Sequence, residues 1–322
     1  MDIFRNTIGT MNESIKLFKE EVLNGLQNNP KSLSSKYFYD DEGSRLFQEI
    51  MDMPEYYLPA AESEIILTQS EAIAKRINLS RLDIIELGAG DGRKMVHFVQ
   101  VLSQHIGDLS YFPLDISSGI LKANEKLIRQ EIPSVNFAGF AGDYFKTLHQ
   151  LRERTNPRLI VFAGSNIGNF RGESAVDFLK FIKSEMKPGD FFILGVDLKK
   201  NPTKVLAAYS DAQGITKRFN LNLLTRINRE LGANFELDFF DHYATYHPIT
   251  GAAESFLISL KAQNITIGSE VIWFKKDEII QTEISQKYDK ALLEELSLAA
   301  ELSLDSWYSD SEGLFAWVLF EA

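Results

Sequence analysis

Cysteine is absent from this chain. Disulfides, thiolate zinc sites and a cysteine nucleophile are therefore excluded. No apolar run approaches the roughly 18 residues of a membrane span. Residues 1–20 are amphipathic and mixed in charge, without the apolar core of a secretory signal. A cytoplasmic location with no membrane partner is the expectation. Basic charge is also scarce: Lys and Arg number 34 against 45 Asp and Glu, a net charge of −11, and no dense basic block occurs. Nucleic acids are held largely through basic side chains on phosphates, so no nucleic-acid partner is expected and small-molecule chemistry is favoured. The five histidines (His97, His105, His149, His242 and His247) do not fall at metal-ligand spacing, and no metal is expected. No internal repeat or low-complexity tract is found, and nothing in the sequence marks an oligomer surface, which leaves a monomer as the default.

What is present suits a folded α/β protein. The 322 residues, 44% hydrophobic and 25% charged with 23 phenylalanines, allow a large domain with an ample core and a smaller lobe. Apolar strand candidates recur at 83–87, 110–115, 135–140, 159–163 and 191–196, with helix-length segments such as 118–130 and 173–186 between them. That alternation predicts a doubly wound parallel sheet. After Asp197 the rhythm changes. A helical region opens at Asn201-Pro202 and continues over 207–231; residues 235–246, 254–261, 270–275 and 279–285 then read as antiparallel strands. A helix at 290–301 and a last strand at 314–320, rejoining the main sheet, make this α+β lobe an insertion. The expected division is 60–199 plus 286–322 against 1–59 plus 200–285.

The most informative stretch is Ile84-Ile85-Glu86-Leu87-Gly88-Ala89-Gly90-Asp91-Gly92-Arg93-Lys94. An apolar strand ends in an acid and three alternating glycines, and a helical pattern follows. Such glycines let the backbone turn sharply and bring its N–H groups close to a ligand, which points to a nucleotide-like cofactor at the carboxyl end of the first strand. Asp115 ends the second strand, where a carboxylate can accept from both ribose hydroxyls. Asp143 follows the third and could take an adenine amino group, with Tyr144 flanking the ring. The third glycine comes one residue early for a dinucleotide fingerprint. Together with Glu86 this favours S-adenosylmethionine (SAM), without a metal, over a nicotinamide cofactor, the competing reading.

The N-terminal block Lys36-Tyr37-Phe38-Tyr39-Asp40-Asp41-Glu42-Gly43-Ser44-Arg45-Leu46-Phe47, with Met53-Pro54-Glu55-Tyr56-Tyr57 and Glu62, resembles the histidine-specific methyltransferases. That family makes the trimethylated histidine betaine on the route to ergothioneine. The resemblance runs on through the glycine motif, Gly164-Ser165-Asn166-Ile167-Gly168-Asn169, Asp197-Leu198-Lys199-Lys200, Phe219-Asn220, Ile227-Asn228-Arg229-Glu230-Leu231 and Thr282-Glu283-Ile284-Ser285. It implies a class I SAM-methyltransferase sheet with an inserted α+β substrate-binding lobe. The cofactor set becomes Glu86, Gly88, Gly90, Lys94, Asp115, Asp143 and Tyr144.

On the acceptor side the resemblance puts Asn169 and Tyr56 on the head group of an amino acid, Tyr209 on its carboxylate, Tyr39 near the amine and Phe47 in the pocket wall. Tyr39 and Asn169 are the catalytic candidates. Glu283 and Ser285, two apart on a strand, point to one face, with Thr282 and Ile284 on the other. Carboxylate and hydroxyl can serve the two nitrogens of an imidazole. The implied reaction is methylation of the α-amino nitrogen of L-histidine to Nα,Nα,Nα-trimethylhistidine. Ser255 stands on a strand that walls the pocket, where the resemblance leads one to expect an apolar side chain, so another amine (tryptophan-like or a modified histidine) is an alternative acceptor. A catalytically silent SAM-binding protein is the alternative of another class.

Overall fold

The computed structural model describes residues 2–170 and 173–322, with side chains from residue 13 onward. The chain forms two compact units, each discontinuous in sequence: Met1–Tyr56 with Lys200–Ser285, and Tyr57–Lys199 with Gln286–Ala322. The expected break at 59/60 falls inside a helix that runs unbroken from Leu58, so the crossing lies earlier, at 56/57. In chain order the first unit begins with α1 (Asp2–Gln27), β1 (Lys31–Ser32), a 3₁₀ turn at Ser35–Phe38 and α2 (Asp41–Met51). Asp40 caps α2 by accepting from Gly43 N at 2.7 Å.

The second unit follows with α3 (Leu58–Ile77), β2 (Arg81–Leu87), α4 (Val96–His105), β3 (Asp108–Asp115) and α5 (Ser118–Glu131). Next come β4 (Asn136–Phe137), β5 (Phe140–Ala141), α6 (Tyr144–Gln150), β6 (Arg158–Phe162), α7 (Glu173–Glu185) and β7 (Phe191–Asp197). The chain returns to the first unit for α8 (Pro202–Tyr209), α9 (Ile215–Leu231), β8 (Phe240–Tyr246), β9 (Ala252–Ser259), β10 (Gln263–Ile267), β11 (Glu270–Phe274) and β12 (Ile279–Gln286). It closes the second unit with α10 (Lys290–Ala299), β13 (Ser303–Ser309) and β14 (Phe315–Glu321).

The sheet of the second unit has the order β13-β14-β7-β6-β2-β3-β4, with β5 also paired to β3. Strands β2, β3, β6 and β7 are parallel; β14 is antiparallel to both β7 and β13. Order reverses between β2 and β6, a switch point at which a crevice opens beyond the carboxyl ends of the strands. Strands covered on both faces read as unbroken apolar runs, and β6, β7 and most of β2 are buried throughout. The packed layer includes Ile160, Phe162, Phe178, Leu194, Val318 and Phe320. The expected strand at 135–140 is instead two short pieces interrupted at Ala138-Gly139, a glycine being a weak strand residue.

The first unit has a sheet of order β1-β12-β9-β8, with β10 and β11 forming a separate antiparallel hairpin. Its core gathers Phe38, Leu223, Ile227, Leu257, Phe274 and Ile280. Three expectations need correction here. The region 235–246 is a strand only from Phe240, because Asn228 binds both the N–H and the carbonyl of Phe235 (2.8 and 2.7 Å) and holds it as a loop. The helix over 207–231 is two, since Asp211 accepts from Ile215 N and Thr216 N (2.9 and 2.8 Å) and starts a new one. The sheet also takes a parallel neighbour, β1 against β12. Among the described residues no helix is long and apolar enough to cross a membrane.

An enclosed ion pair sits at the start of β6. Arg158, at the start of β6, donates from Nε to Asp190 Oδ2 at 3.0 Å and from its backbone N to Oδ1 at 2.8 Å. Side-chain exposures are 0% and 3%. Removing one member of such a pair strands the other charge, so Arg158→Met is expected to cost about 3–5 kcal/mol, read as a lowered urea midpoint with an unchanged slope.

Candidate active site

The glycine loop after β2 has all three glycines in the left-handed region: φ is 73° at Gly88, 58° at Gly90 and 82° at Gly92. Gly88 N and Ala89 N both donate to Leu114 O (2.8 and 3.0 Å), tying the loop to β3. A Cβ on Gly88 or Gly90 would meet nothing within 4 Å, whereas one on Gly92 would lie 2.6 Å from Asn124 Oδ1. The loop thus has a bare face and a packed face. Asn124, fully buried on α5, donates to Gly90 O at 3.1 Å and braces the packed side. Asp115 accepts from Gly90 N at 3.0 Å and Ser117 N at 2.9 Å. Directly after it, Ile116 is 88% exposed, an apolar side chain beside the bare face that sequence reasoning missed. This concave, uncovered backbone with an acid at the next strand end suits a nucleoside-bearing cofactor.

Asp143 stands at the N-terminus of α6 and caps it, Oδ1 accepting from Phe145 N at 2.8 Å and Lys146 N at 3.3 Å. Tyr144 packs its ring against Phe145 and Phe162, with centroids 4.6 and 6.1 Å apart. Glu86 is buried and accepts from the Tyr111 hydroxyl. Burial pushes its carboxyl up to about 8, against the opposing pull of Tyr111 and of the Lys94 charge. Lys94 is engaged by Glu62, Nζ to Oε2 at 2.9 Å. Burial disfavours that ammonium, but Glu62 and Glu86 outweigh it and its pKa is raised. Glu62 itself, 2% exposed, also accepts from Gly164 N (2.8 Å) and Trp317 Nε1 (2.9 Å).

Asn169 ends a 3₁₀ turn, Asn166–Asn169, behind β6, and is exposed. Ser165, at φ 57°, enters that turn and accepts from Asp197 N at 2.9 Å. Tyr288 Oη donates to Ile167 O at 3.2 Å from the other side.

In the first unit the aromatic candidates do come together. Tyr39 meets Phe47 edge-on at 5.4 Å, Phe47 meets Tyr56 at 6.4 Å, and Phe219 of α9 lies 5.9 and 6.0 Å from Tyr39 and Phe47. Half of Tyr39 is solvent-accessible, yet its phenol is pushed above the ordinary tyrosine range, by burial first and by the negative charge of Glu283 second. Tyr39 and Glu283 are therefore electrostatic neighbours. Tyr209 Oη donates to Ser285 Oγ at 2.8 Å, which joins two groups expected at different ends of the amino acid. Thr282 is not turned away to a free surface. Its hydroxyl is bonded to Asn220 Oδ1 on α9 (2.7 Å) and Ser255 O (3.0 Å). Ser255 is wholly buried and its Oγ has no hydrogen-bond partner among the described residues. Among the described residues no group of three or more His, Cys, Asp or Glu is placed to hold a metal.

A switch-point crevice floored by a bare glycine loop, with acids at successive strand ends and an antiparallel last strand between β7 and β13, defines a class I SAM-dependent methyltransferase. Residues 18–322 match the histidine-specific, SAM-dependent methyltransferases, and the chain belongs to that family. It is a SAM-dependent N-methyltransferase. The histidine N-alpha-methyltransferase of Mycobacterium tuberculosis (strain CDC 1551 / Oshkosh) is 35% identical over 300 residues, 92% of each chain. That of Mycolicibacterium smegmatis is 33% identical over 301 residues, again 92% of each. A 4-dimethylallyltryptophan N-methyltransferase of Epichloe festucae var. lolii is 29% identical over 314 residues, 90% of each.

Two outcomes follow from the loop and its acid. Alanine at Gly90 fills the bare face and strains a left-handed residue; SAM binding measured by calorimetry should weaken at least tenfold, with about 1 kcal/mol of stability lost. Glu86 keeps its proton in the folded protein to about pH 8, against 4.5 for an ordinary side chain. Between those limits the folded state binds the extra proton, so stability falls as pH rises. Glu86→Gln removes that loss, and its urea stability relative to the parent should grow by a few kcal/mol from pH 5 to pH 8. A difference that stays flat over this range would mean that Glu86 ionises freely.

Proposed function

We propose that the protein transfers methyl groups from SAM to the α-amino nitrogen of L-histidine, yielding Nα,Nα,Nα-trimethylhistidine. It would work as a monomer in the cytoplasm, with neither nucleic acid nor membrane as partner. The unit of Tyr57–Lys199 and Gln286–Ala322 is assigned the cofactor, and the unit of Met1–Tyr56 and Lys200–Ser285 most of the acceptor contacts. The observation that carries the histidine reading is the grouping of Glu283 and Ser285 on β12 with Tyr39 and Tyr209, in a chain belonging to a histidine-specific family.

SAM supplies an electrophilic methyl on a sulfonium. In this reading Gly88 and Gly90 offer the bare backbone, Asp115 accepts from the ribose, and Glu86, Lys94, Asp143 and Tyr144 complete the cofactor set. Displacement at the methyl carbon needs an uncharged amine held in line, its proton given up to solvent. As the N–C bond would form, the S–C bond would break and its electron pair stay on sulfur in the departing thioether; orientation supplies much of the rate. Tyr39, kept neutral by its surroundings, is suited to accept an N–H of the amine and turn its lone pair. Asn169 and Tyr56 would hold the head group, with Tyr209 at the carboxylate. The rings of Tyr39 and Phe47 suit a product that ends as a quaternary ammonium. Glu283 and Ser285 would take the two imidazole nitrogens.

A second acceptor reading rests on Ser255, whose buried hydroxyl has no partner among the described residues, a state that costs about 1–3 kcal/mol. An acceptor or trapped water with a polar atom at that point would satisfy it, which favours a modified histidine over an indole.

The test is to incubate the protein and SAM with L-histidine, its Nα-methylated forms, L-tryptophan and ring-substituted histidines, and to read product masses. Successive gains up to three methyl groups on histidine are expected; no gain on histidine ends this version. Glu283→Ala should raise the histidine KM about 10–100-fold, the scale of a lost hydrogen bond to a charged group. SAM affinity should stay within about threefold.

A further inference from the structure

The chain crosses between its two units three times, at 56/57, 199/200 and 285/286. On the side of the second unit, a residue within two positions of each crossing belongs to one buried cluster. Tyr57 Oη donates to Asp197, 3.1 Å from Oδ1 and 2.9 Å from Oδ2. Lys287 Nζ lies 2.8 Å from Asp197 Oδ2, and both side chains are 0% exposed. The backbone repeats the pattern: Tyr288 N donates to Asp197 O at 2.8 Å and Lys199 N to Tyr288 O at 2.7 Å. At the rim Lys199 pairs with Asp289 at 2.8 Å.

A buried ion pair is weak evidence for stability, because desolvation consumes most of its attraction; its best-attested use is to fix register. The segments fixed here are informative. Tyr56 precedes Tyr57, and Ser285 and Glu283 lie two and four residues before Lys287. Asp197 N also bonds Ser165, which enters the turn ending in Asn169, while Tyr288 holds the same turn through Ile167. The segments leading to Tyr56, Asn169 and Glu283/Ser285 are thus fastened at or next to one carboxylate. None of the contacts just described involves Glu86, Gly88, Gly90 or Asp115.

We propose that Asp197, with Lys287 and Tyr57, is the positioning centre of the methyl-acceptor site: it sets the register of the three segments carrying Tyr56, Asn169 and Glu283/Ser285. This rests on the assignment of those residues to the acceptor. In this reading Asp197 acts through those segments and not on the methyl donor or the amine. Its loss therefore acts on acceptor binding and leaves cofactor binding in place, whereas a general stabilising role would weaken both.

The experiment compares Tyr57→Phe, Asp197→Asn and the charge-neutral pair Asp197→Asn/Lys287→Gln with the parent. Acceptor KM is measured with the best amine of the panel, SAM Kd by calorimetry and backbone protection by hydrogen exchange. The single Asp197 change strands Lys287 and is the variant most prone to misfold; the pair and Tyr57→Phe leave no buried lone charge. Expected are a rise in acceptor KM of about tenfold for the pair and about threefold for Tyr57→Phe, with SAM Kd within threefold. Exchange should rise together at 53–57, 165–169 and 283–288. An unchanged acceptor KM, equal losses for acceptor and SAM, or exchange rising only beside the altered residue would each overturn the proposal. Parent turnover on histidine reports separately on the substrate reading, and the exchange measurement needs no acceptor.

Discussion

A single carboxylate on α3 holds the cofactor side of the molecule together. Glu62 is buried among apolar helix residues, a costly place for a charge unless every lone pair is used. It accepts from the backbone beyond β6 at Gly164, from the indole of Trp317 on β14, and from Lys94 beyond the glycine loop. Charge-assisted bonds of this kind are short and strong. They fix α3 against strands far apart in sequence. The neighbouring strand must leave room: a Cβ on Gly195 of β7 would stand 3.0 Å from Glu62 Oε1. The glycine loop is thus shaped from beneath by Asn124 and Asp115, while Glu62 anchors Lys94 at its far end.

The positions of the main strands were legible because burial on both faces leaves a continuous apolar run, visible in any short window. The glycine loop was legible for a related reason, since its conformational demand is met by adjacent residues. Asp115 and Asp143 were read from position alone, and both prove to be hydrogen-bonded to backbone N–H groups as well, a duty any acid at a strand end or helix start can take. The inserted unit was harder. Several of its strands are half exposed and carry polar residues, so a short strand such as β10 passes as loop. Its true boundaries depend on single side chains such as Asn228 and Asp211, which decide where a strand or helix can begin.

What no local pattern could reveal were the polar contacts across long separations. Glu62 and Trp317 are 255 residues apart, and Tyr57 and Asp197 are 140 apart. Even Glu86 and Tyr111, 25 apart, meet only because β2 and β3 are neighbours in register. Of the aromatic cluster, Tyr39, Phe47 and Tyr56 were named by resemblance to a family, while Phe219 joins it only in the folded chain; periodicity alone would have left it as an ordinary hydrophobic patch. Its proximity to the Glu283 charge is a property of the folded chain.

The position of β14 has a consequence for how the protein is made. It fills the place between β7 and β13, yet it follows the whole inserted unit in the chain. While the polypeptide emerges from the ribosome, β7, apolar but for its last residue Asp197, presents an unpaired edge until residue 315 and its successors are available. During that interval the nascent sheet is an open template for foreign strands. Early folding of the insertion, and chaperones acting on the unfinished edge, would govern how much of the newly made chain reaches the native state.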